Sequence, residues 1–309
     1  MSKEEEIIAP IDKDLIEQEL NEGRFVRNTN KGGNKIFILN HHNAPHTMRE
    51  IGRLREVSFR YAGGGTGKSL DIDEADTSER CYEQLIVYSP DDQEIIGGYR
   101  FIIGDQAYNK ETDDFELSTA HYFNFSDQMK KEYLPFSIEL GRSWVQPSYQ
   151  PSINPRKGVF ALMNIWDGLG CLVTKYPKIR YFFGKVTMYT SYNKEARDIL
   201  LSFMAHYFPN RLNLCHPKQE LFAEFDEGLF NKHFTGKMDY QEGFKLLNKL
   251  LKDRDEFIPP LINIYMSLSS TMMTFGTAQN PDFGDVEETA ILVTIDDIHQ
   301  TVKDRHINY

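Results

Sequence analysis

The order of the apolar segments between residues 35 and 210 is the feature that most constrains the fold. An apolar run at residues 35–40 precedes a helical pattern near Pro45, where apolar side chains recur every three or four residues. Two further apolar runs, residues 82–88 and 94–103, flank Ser-Pro-Asp-Asp-Gln and predict a hairpin. With the later segments the order is β-α-β-β-(helical turn)-β-α-β-α. This order predicts an α/β fold with a mixed central sheet flanked by helices.

The sequence pattern also divides the chain into three parts. We expect a charged N-terminal arm over residues 1–30, a core over 31–210 and a C-terminal α/β extension over 211–309. In the extension the patterns predict two helices and one strand, over residues 240–253, 260–272 and 290–295. No flexible linker is evident there, so we expect the extension to pack on the core. No run of about 18 apolar residues predicts a membrane-spanning helix.

Charge is unevenly distributed along the chain. The formal net charge is −11, which makes nucleic acid an unfavourable partner because phosphate contacts need clustered Lys and Arg. Residues 71–120 carry a net −11, whereas residues 141–220 carry a net +7. Two interpretations stay open: two solvated faces of opposite sign, or a basic half that receives an anionic partner. The three cysteines lie far apart and suggest a reduced, intracellular protein.

Two short motifs imitate well-known sites. The run from Ala62 to Ser69, AGGGTGKS, matches a relaxed phosphate-binding loop, but a helix precedes it and an acidic stretch follows it. We therefore interpret it as a glycine-rich bend. His41, His42 and His46 have no spacing that fixes a metal-ligand face, so we interpret them as turn histidines and expect no metal.

Glu139 and Arg142 interrupt an apolar strand pattern over residues 136–145. In a regular strand these two side chains point to opposite faces. A bulge at Gly141 brings both to one face, and it separates the strand from its neighbour. The resulting slot suits an amide-rich chain such as pantetheine. The alternative is a buried ion pair between Glu139 and Arg142 that has only a structural role.

Four motifs then occur in order along the chain. They are Arg-x-x-x-Phe, Asp-x-x-Asp, Gly-Gly-Tyr-Arg and Glu-Leu-Gly-Arg, and their key residues are Arg55, Phe59, Asp73, Asp76, Arg100, Glu139 and Arg142. Taken separately, the two aspartates also fit a solvated acidic turn, and the arginine of the third motif fits a surface position after a hairpin.

Together the four motifs resemble a branch of the GNAT-fold acyltransferases, over roughly residues 35–195. The branch contains the bacterial amino-acid N-acyltransferases that make lyso-ornithine and lyso-glycine lipids, some of which carry a "hemolysin" label. It is related to the acyl-homoserine-lactone synthases. Those synthases have a Trp after the first motif, where this chain has Gly-Thr-Gly as in the Bacteroidetes-type members. This difference argues against lactone formation from S-adenosylmethionine.

The resemblance implies a cytoplasmic enzyme of aminolipid synthesis with no permanently bound cofactor. Its co-substrate is acyl-ACP, in which the acyl group is carried on acyl carrier protein, or acyl-CoA. A long-chain acyl group, with 3-hydroxyacyl as one form, passes from that thioester to the amine of an amino acid such as glycine or ornithine. Acyl carrier protein is the expected protein partner, and peripheral contact with the inner membrane stays open.

The resemblance also assigns roles to residues. Glu139 takes the amine's proton, directly or through one water, and Arg100 or Arg142 holds the amino acid's carboxylate. Arg55 and Phe59 close over the acyl chain. The full expected set is catalytic Glu139 and Arg142; substrate-binding Arg55, Phe59, Asp73, Asp76 and Arg100; and donor-binding Gly141, Ser143, Trp144, Arg156 and Lys157.

Two other functions fit the same residues. One is a CoA-dependent N-acetyltransferase acting on a small amine. The other is a non-catalytic acyl-binding protein that keeps the fold.

Overall fold

The structure is a computed structural model that describes residues 4–309. Its strands are β1 (Phe25–Asn28), β2 (Lys35–Leu39), β3 (Glu83–Ser89), β4 (Glu94–Ile103), β5 (Tyr108–Asn109), β6 (Asp114–Phe115), β7 (Phe123–Phe125), β8 (Ser137–Val145), β9 (Tyr181–Met188), β10 (Cys215–Pro217), β11 (Met273–Asn280) and β12 (Val286–Thr294). Its α-helices are α1 (Lys13–Glu19), α2 (Pro45–Tyr61), α3 (Glu74–Thr77), α4 (Gly104–Ala107), α5 (Pro155–Lys175), α6 (Lys194–Tyr207), α7 (Gly228–His233), α8 (Tyr240–Lys252), α9 (Pro260–Met266) and α10 (Gln300–His306).

One eight-stranded sheet organises the molecule, in the order β1-β2-β3-β4-β8-β9-β12-β11. All neighbouring strands are antiparallel except β8 and β9, which are parallel. This confirms the predicted α/β class with a mixed central sheet. The predicted hairpin is also confirmed as β3 and β4, which are joined by a short turn.

Helices cover both faces of the sheet. On one face, α5, α6, α8 and α9 bury apolar side chains in one cluster with residues of the strands, among them Phe101, Leu140 and Val186. On the other face, α2 packs Met48 and Ile51 against β2 and β3. The segment from α4 to the start of β8 covers the rest of that face and forms a second cluster of buried apolar residues. The sheet is therefore buried on both sides.

The last third of the chain extends the same sheet. Strand β12 pairs with β9 along its whole length, and β11 pairs with β12 at the sheet edge. The helix predicted over residues 260–272 ends at Met266, and β11 begins at Met273. At the other edge β1, from the predicted arm, pairs with β2. The division at residues 30 and 210 stays a prediction.

The glycine-rich bend is held by a carboxylate of the protein itself. Glu56 is fully buried and accepts hydrogen bonds from the backbone N–H groups of Thr66 (3.1 Å) and Gly67 (2.9 Å). Arg60 Nε donates to the same carboxylate at 2.7 Å. The carboxylate of Glu56 thus satisfies the backbone N–H groups of the bend from within the protein.

Within residues 4–309, no helix combines the length and the apolar character needed to cross a membrane.

Candidate active site

The central feature of the site is a slot between β8 and β9. Their pairing runs only from Ser137↔Tyr181 to Leu140↔Gly184, although both strands continue beyond it. A Cβ on Gly184 would lie 2.4 Å from the Leu140 carbonyl oxygen, so this closest approach requires glycine. Beyond this point the strands separate, and their facing edges border an open space.

A bulge in β8 causes the separation. Arg100 of β4 pairs with Gly141, and Gly98 pairs with Trp144, so β8 has an extra residue. The residue in the left-handed conformation is Arg142, with φ 48°, not the neighbouring glycine. The bulge predicted at Gly141 lies one residue later, at Arg142. As expected, the bulge turns Glu139 and Arg142 to the same face of the sheet. There Glu139 accepts a hydrogen bond from the Tyr82 hydroxyl, and Arg142 donates one to Asp71.

A cavity of about 960 Å³ passes through the slot and reaches both faces of the sheet. On the α5 side it is apolar, and we call this part the apolar arm; its lining includes Leu140, Leu162, Ile165, Trp166, Leu169, Pro259, Pro260, Leu261 and Tyr265. On the opposite side it is polar, and we call this part the charged end; its lining includes Asp73, Arg100, Ser118, Tyr122, Arg142, Lys185, Asp282 and Glu288.

Buried ion pairs form the wall behind the charged end. Arg55 donates from Nε to Asp71 at 3.0 Å and from its two terminal nitrogens to Asp76 at 3.0 and 3.1 Å. Arg100 donates to Asp73 at 2.6 Å and to Asp76 at 3.1 Å. Arg142 Nε donates to Asp71 at 2.9 Å. Three arginines and three aspartates from α2, β4, β8 and the segment 71–76 are thus joined in one network.

The network ranges from fully buried to accessible. Arg55, Asp71 and Asp76 are fully buried, and the Arg100 side chain is 4% exposed. Asp73 and Arg142 reach the cavity, with 38% and 17% of their side chains exposed. This contradicts the expectation that Arg55 closes over the acyl chain, because all three of its guanidinium nitrogens are bonded to buried carboxylates.

The same ion pairs set the charge states of the aspartates. Burial alone raises the pKa of Asp71, but the nearby Arg142 and Arg55 outweigh it and hold that pKa below its ordinary value. Burial likewise opposes ionisation of Asp76, and Arg55 with Arg100 lowers its pKa well below the usual range. Asp71 and Asp76 therefore stay ionised at neutral pH.

Glu139 is buried at the bulge and is already well bonded. It accepts hydrogen bonds from the Tyr82 hydroxyl and from the backbone N–H groups of Ser118 (3.1 Å) and Thr119 (2.7 Å). These contacts fix the segment that brings Ser118 and Tyr122 to the cavity. The expected role of Glu139 as proton acceptor stays a prediction, and its contacts favour positioning of this segment.

The remaining predicted residues fall into two groups. Phe59, Gly141, Ser143 and Trp144 all line the cavity, and the Phe59 ring packs edge-to-face on Phe283. The second group, Arg156 and Lys157, is exposed at the first turn of α5 and does not line the cavity. Lys157 Nζ forms an ion pair with Asp92 at 2.7 Å. The structure therefore brings the first group together with the ion-pair network and leaves the second outside it.

Three residues of the site were not predicted from sequence. Asp71 lies in the acidic stretch that follows the glycine-rich bend, but nothing in that stretch marks it as fully buried. Lys185 lies within β9, where a single lysine gives no local signal of a site. Glu288 precedes the strand predicted to begin at residue 290, which in fact begins at Val286. No group of three or more metal-binding side chains was found among the described residues.

Comparisons with known proteins give one family domain and two close relatives. Residues 54–156 match an acetyltransferase (GNAT) domain. The chain is 50% identical over 303 residues to "Glycine N(alpha)-acyltransferase" of Bacteroides thetaiotaomicron, covering 98% of this chain and 90% of that protein. It is 48% identical to the protein of the same name from Phocaeicola vulgatus, covering 98% and 93%. No solved structure matches.

Proposed function

Because the chain belongs to the GNAT N-acyltransferases, in one family with these two relatives, we propose that it transfers a long-chain acyl group from a thioester to the amine of glycine. N-acyltransferase activity follows from the family. Glycine is the acceptor in the names of both relatives. The observation that carries the long-chain assignment is the cavity, which joins an apolar arm to a charged end through the slot.

The apolar arm is the proposed place of the acyl chain. Leu162, Ile165 and Leu169 line it along α5, and Leu261 and Tyr265 face them from α9. Each buried CH₂ group contributes about 0.8 kcal/mol, which is roughly a fourfold gain in affinity. An acetyl group leaves most of this surface unused. The arm therefore favours a long-chain acyl donor over acetyl-CoA.

The slot is the proposed place of the reacting thioester. The β8–β9 ladder ends at Leu140 and Gly184, so strand edges beyond it face the cavity. An amide-rich pantetheine arm can pair with such edges, and backbone N–H groups near the bulge can stabilise the negative charge that develops on the thioester oxygen. Gly141, Ser143 and Trp144 are the residues of β8 that take part in this proposal.

Arg142 is the proposed ligand of the glycine carboxylate. Its Nε is bonded to Asp71, but its side chain remains accessible from the cavity. Arg100 is less suited because it is almost fully buried and already bonded to Asp73, Asp76 and Ser118. In this proposal the guanidinium group of Arg142 binds the carboxylate of glycine, and the amine of glycine then points towards the slot.

Acyl carrier protein is the proposed carrier, and synthesis of a glycine-containing aminolipid is the proposed context. Acyl carrier proteins are acidic, and residues 141–220 carry a net +7. Arg156, exposed at the start of α5, is the first candidate contact. An N-acylglycine with a long chain is amphipathic, so we propose a cytoplasmic enzyme that contacts the inner membrane peripherally to release it.

The test is a donor-by-acceptor panel with purified full-length protein. The donors are acetyl-CoA, hexadecanoyl-CoA, hexadecanoyl-ACP and its 3-hydroxy form, and the acceptors are glycine, alanine and ornithine. We expect N-acylglycine from the long-chain donors, detected by mass. For the carrier protein, we expect binding that weakens with salt and in Arg156→Glu. Exclusive acetylation would favour the small-amine acetyltransferase, and thioester binding without product would favour an acyl-binding protein.

A further inference from the structure

A carboxylate from β12, far along the chain from the motifs, faces the charged end of the cavity. Glu288 lines the cavity with only 6% of its side chain exposed. Its Oε2 atom is buried and has no hydrogen-bond partner. The nearest cation is Lys185 Nζ, 3.5 Å from that oxygen. An unsatisfied buried carboxylate oxygen is costly, so its retention at a cavity wall suggests a ligand.

The other buried carboxylates of the site do not share this property. Asp71 and Asp76 are each bonded to two arginines. Glu139 accepts from one hydroxyl and two backbone N–H groups. Of the buried acids described at the charged end, Glu288 is therefore the one with an oxygen available to an incoming ammonium group.

The sheet register explains why Glu288 faces the site. Glu288 pairs with Thr187 of β9, and Ala290 pairs with Lys185. Directly opposed residues of antiparallel strands share a face, so Glu288 and Lys185 lie on the same side of the sheet. The charged side of the slot thus has two walls. One is β8 with Arg142, and the other is β9 and β12 with Lys185 and Glu288.

We propose that Glu288 is a catalytic residue that binds the ammonium group of the acceptor amino acid and takes its proton. The neutral amine then attacks the thioester carbonyl, so that the C–N bond forms and the C–S bond breaks. The second amine proton goes to the leaving thiolate, and the Glu288 proton passes to solvent. Lys185 compensates the buried negative charge when the site is empty.

The ionisable groups whose charges interact with Glu288 are Lys185 from β9, Tyr189 just after β9 and Tyr122 from the segment fixed by Glu139. Burial and the Glu288 charge raise the pKa of Tyr189 to about 12, and burial with the charges of Glu288 and Asp282 raises the pKa of Tyr122 to about 12. Both phenols therefore stay neutral over the working range, and neither competes as the proton acceptor.

This inference rests on the proposed glycine acceptor, and the experiment separates the two. Wild type, Glu288→Gln and Asp285→Asn are assayed with glycine and hexadecanoyl-ACP from about pH 6 to about pH 9, the range over which amines begin to lose their proton. Gln keeps the shape of Glu but cannot take a proton. Asp285 is exposed in the turn before β12, and its variant removes one negative charge outside the cavity.

We expect Glu288→Gln to lower kcat/KM by roughly 100-fold at neutral pH. The deficit should shrink as pH rises, because more glycine then carries a neutral amine. Asp285→Asn should behave like wild type. An equal rate for Glu288→Gln, or a deficit constant across pH, would overturn the role of Glu288. If wild type itself makes no N-acylglycine, the proposed acceptor fails instead.

A second variant covers the case in which Glu288→Gln does not fold. Glu288→Asp keeps the acid but withdraws it from the cavity by one CH₂ group. We expect a lower rate with the pH dependence of wild type. A rate equal to that of wild type would show that the position of the carboxylate does not affect catalysis, and this result would overturn the proposal.

Discussion

Arg55→Leu tests whether the ion-pair network is a structural wall. The substitution removes three hydrogen bonds of 3.0–3.1 Å and leaves the fully buried Asp71 and Asp76 with one arginine each. Removing one partner of a buried ion pair costs about 3–5 kcal/mol, because the remaining charge stays buried without full compensation. The entropy of unfolding is about 2.1 cal/mol/K per residue, so for a chain of 309 residues we expect Tm to fall by roughly 5–8 °C.

The matched control is Arg53→Leu on the same helix. Arg53 is paired with Glu50 alone, at 2.6 and 2.8 Å, and 16% of its side chain is exposed, whereas the Arg55 side chain is fully buried. We expect this variant to lose less stability than Arg55→Leu, because only one carboxylate loses its arginine and Glu50 keeps the hydrogen bond from the Ile11 N–H group. Thermal and urea unfolding of both variants give the comparison. If Arg55→Leu costs no more than Arg53→Leu, the network does not stabilise the fold as argued.

The difference in stability between wild type and Arg55→Leu depends on pH in a direction that follows from the pKa shifts of the two aspartates. The native pKa values of Asp71 and Asp76 are lowered, so their ion pairs stabilise the fold above the unfolded-state pKa of about 3.9 and lose this effect as pH falls. The gap in stability between wild type and Arg55→Leu should therefore be full at neutral pH and narrow below about pH 4. A gap that widens in acid would contradict the assignment.

Two further predictions concern the cavity. Leu162→Trp places a larger ring in the apolar arm and should shift donor preference to shorter acyl chains. The affinity for the donor should fall about fourfold for each CH₂ group that the ring excludes. An unchanged chain-length profile in competition assays would contradict the role of the arm. Glu139→Gln leaves one acceptor oxygen for three donors, so both Tm and activity should fall, with about 1–3 kcal/mol lost. Lost activity at unchanged Tm would instead identify Glu139 as the proton acceptor.

Local patterns predicted much of the fold. The spacing of apolar residues located α2 and the β3–β4 hairpin, and the interruption of an apolar run located the bulge beside Glu139 and Arg142. These features depend on neighbours a few residues away. The acidic and basic motifs also converge as the resemblance implied, because β4, β8 and α2 bring Arg100, Arg142 and Arg55 to one group of aspartates.

The features that were not predicted depend on contacts between distant parts of the chain. Strand β11 was missed because its Thr- and Gly-containing sequence lacks alternation, with Gly276 at a φ of 85° where the pairing shifts register. Arg55 is fully buried, whereas the Arg142 side chain is accessible from the cavity. No local sequence pattern distinguishes a buried arginine from a ligand-binding one. Glu288 becomes part of the site only through pairing of β12 with β9, about one hundred residues away along the chain.

That long-range pairing has a consequence for how the enzyme is made. During synthesis on the ribosome, β9 emerges well before β12, its partner along Tyr181–Met188. Until then β9 has one unpaired edge, which other chains can join. The nascent protein also lacks the wall that carries Glu288. On the proposed role of Glu288, acyl transfer would begin only after β12 has docked, and we expect chaperones to protect the chain until then.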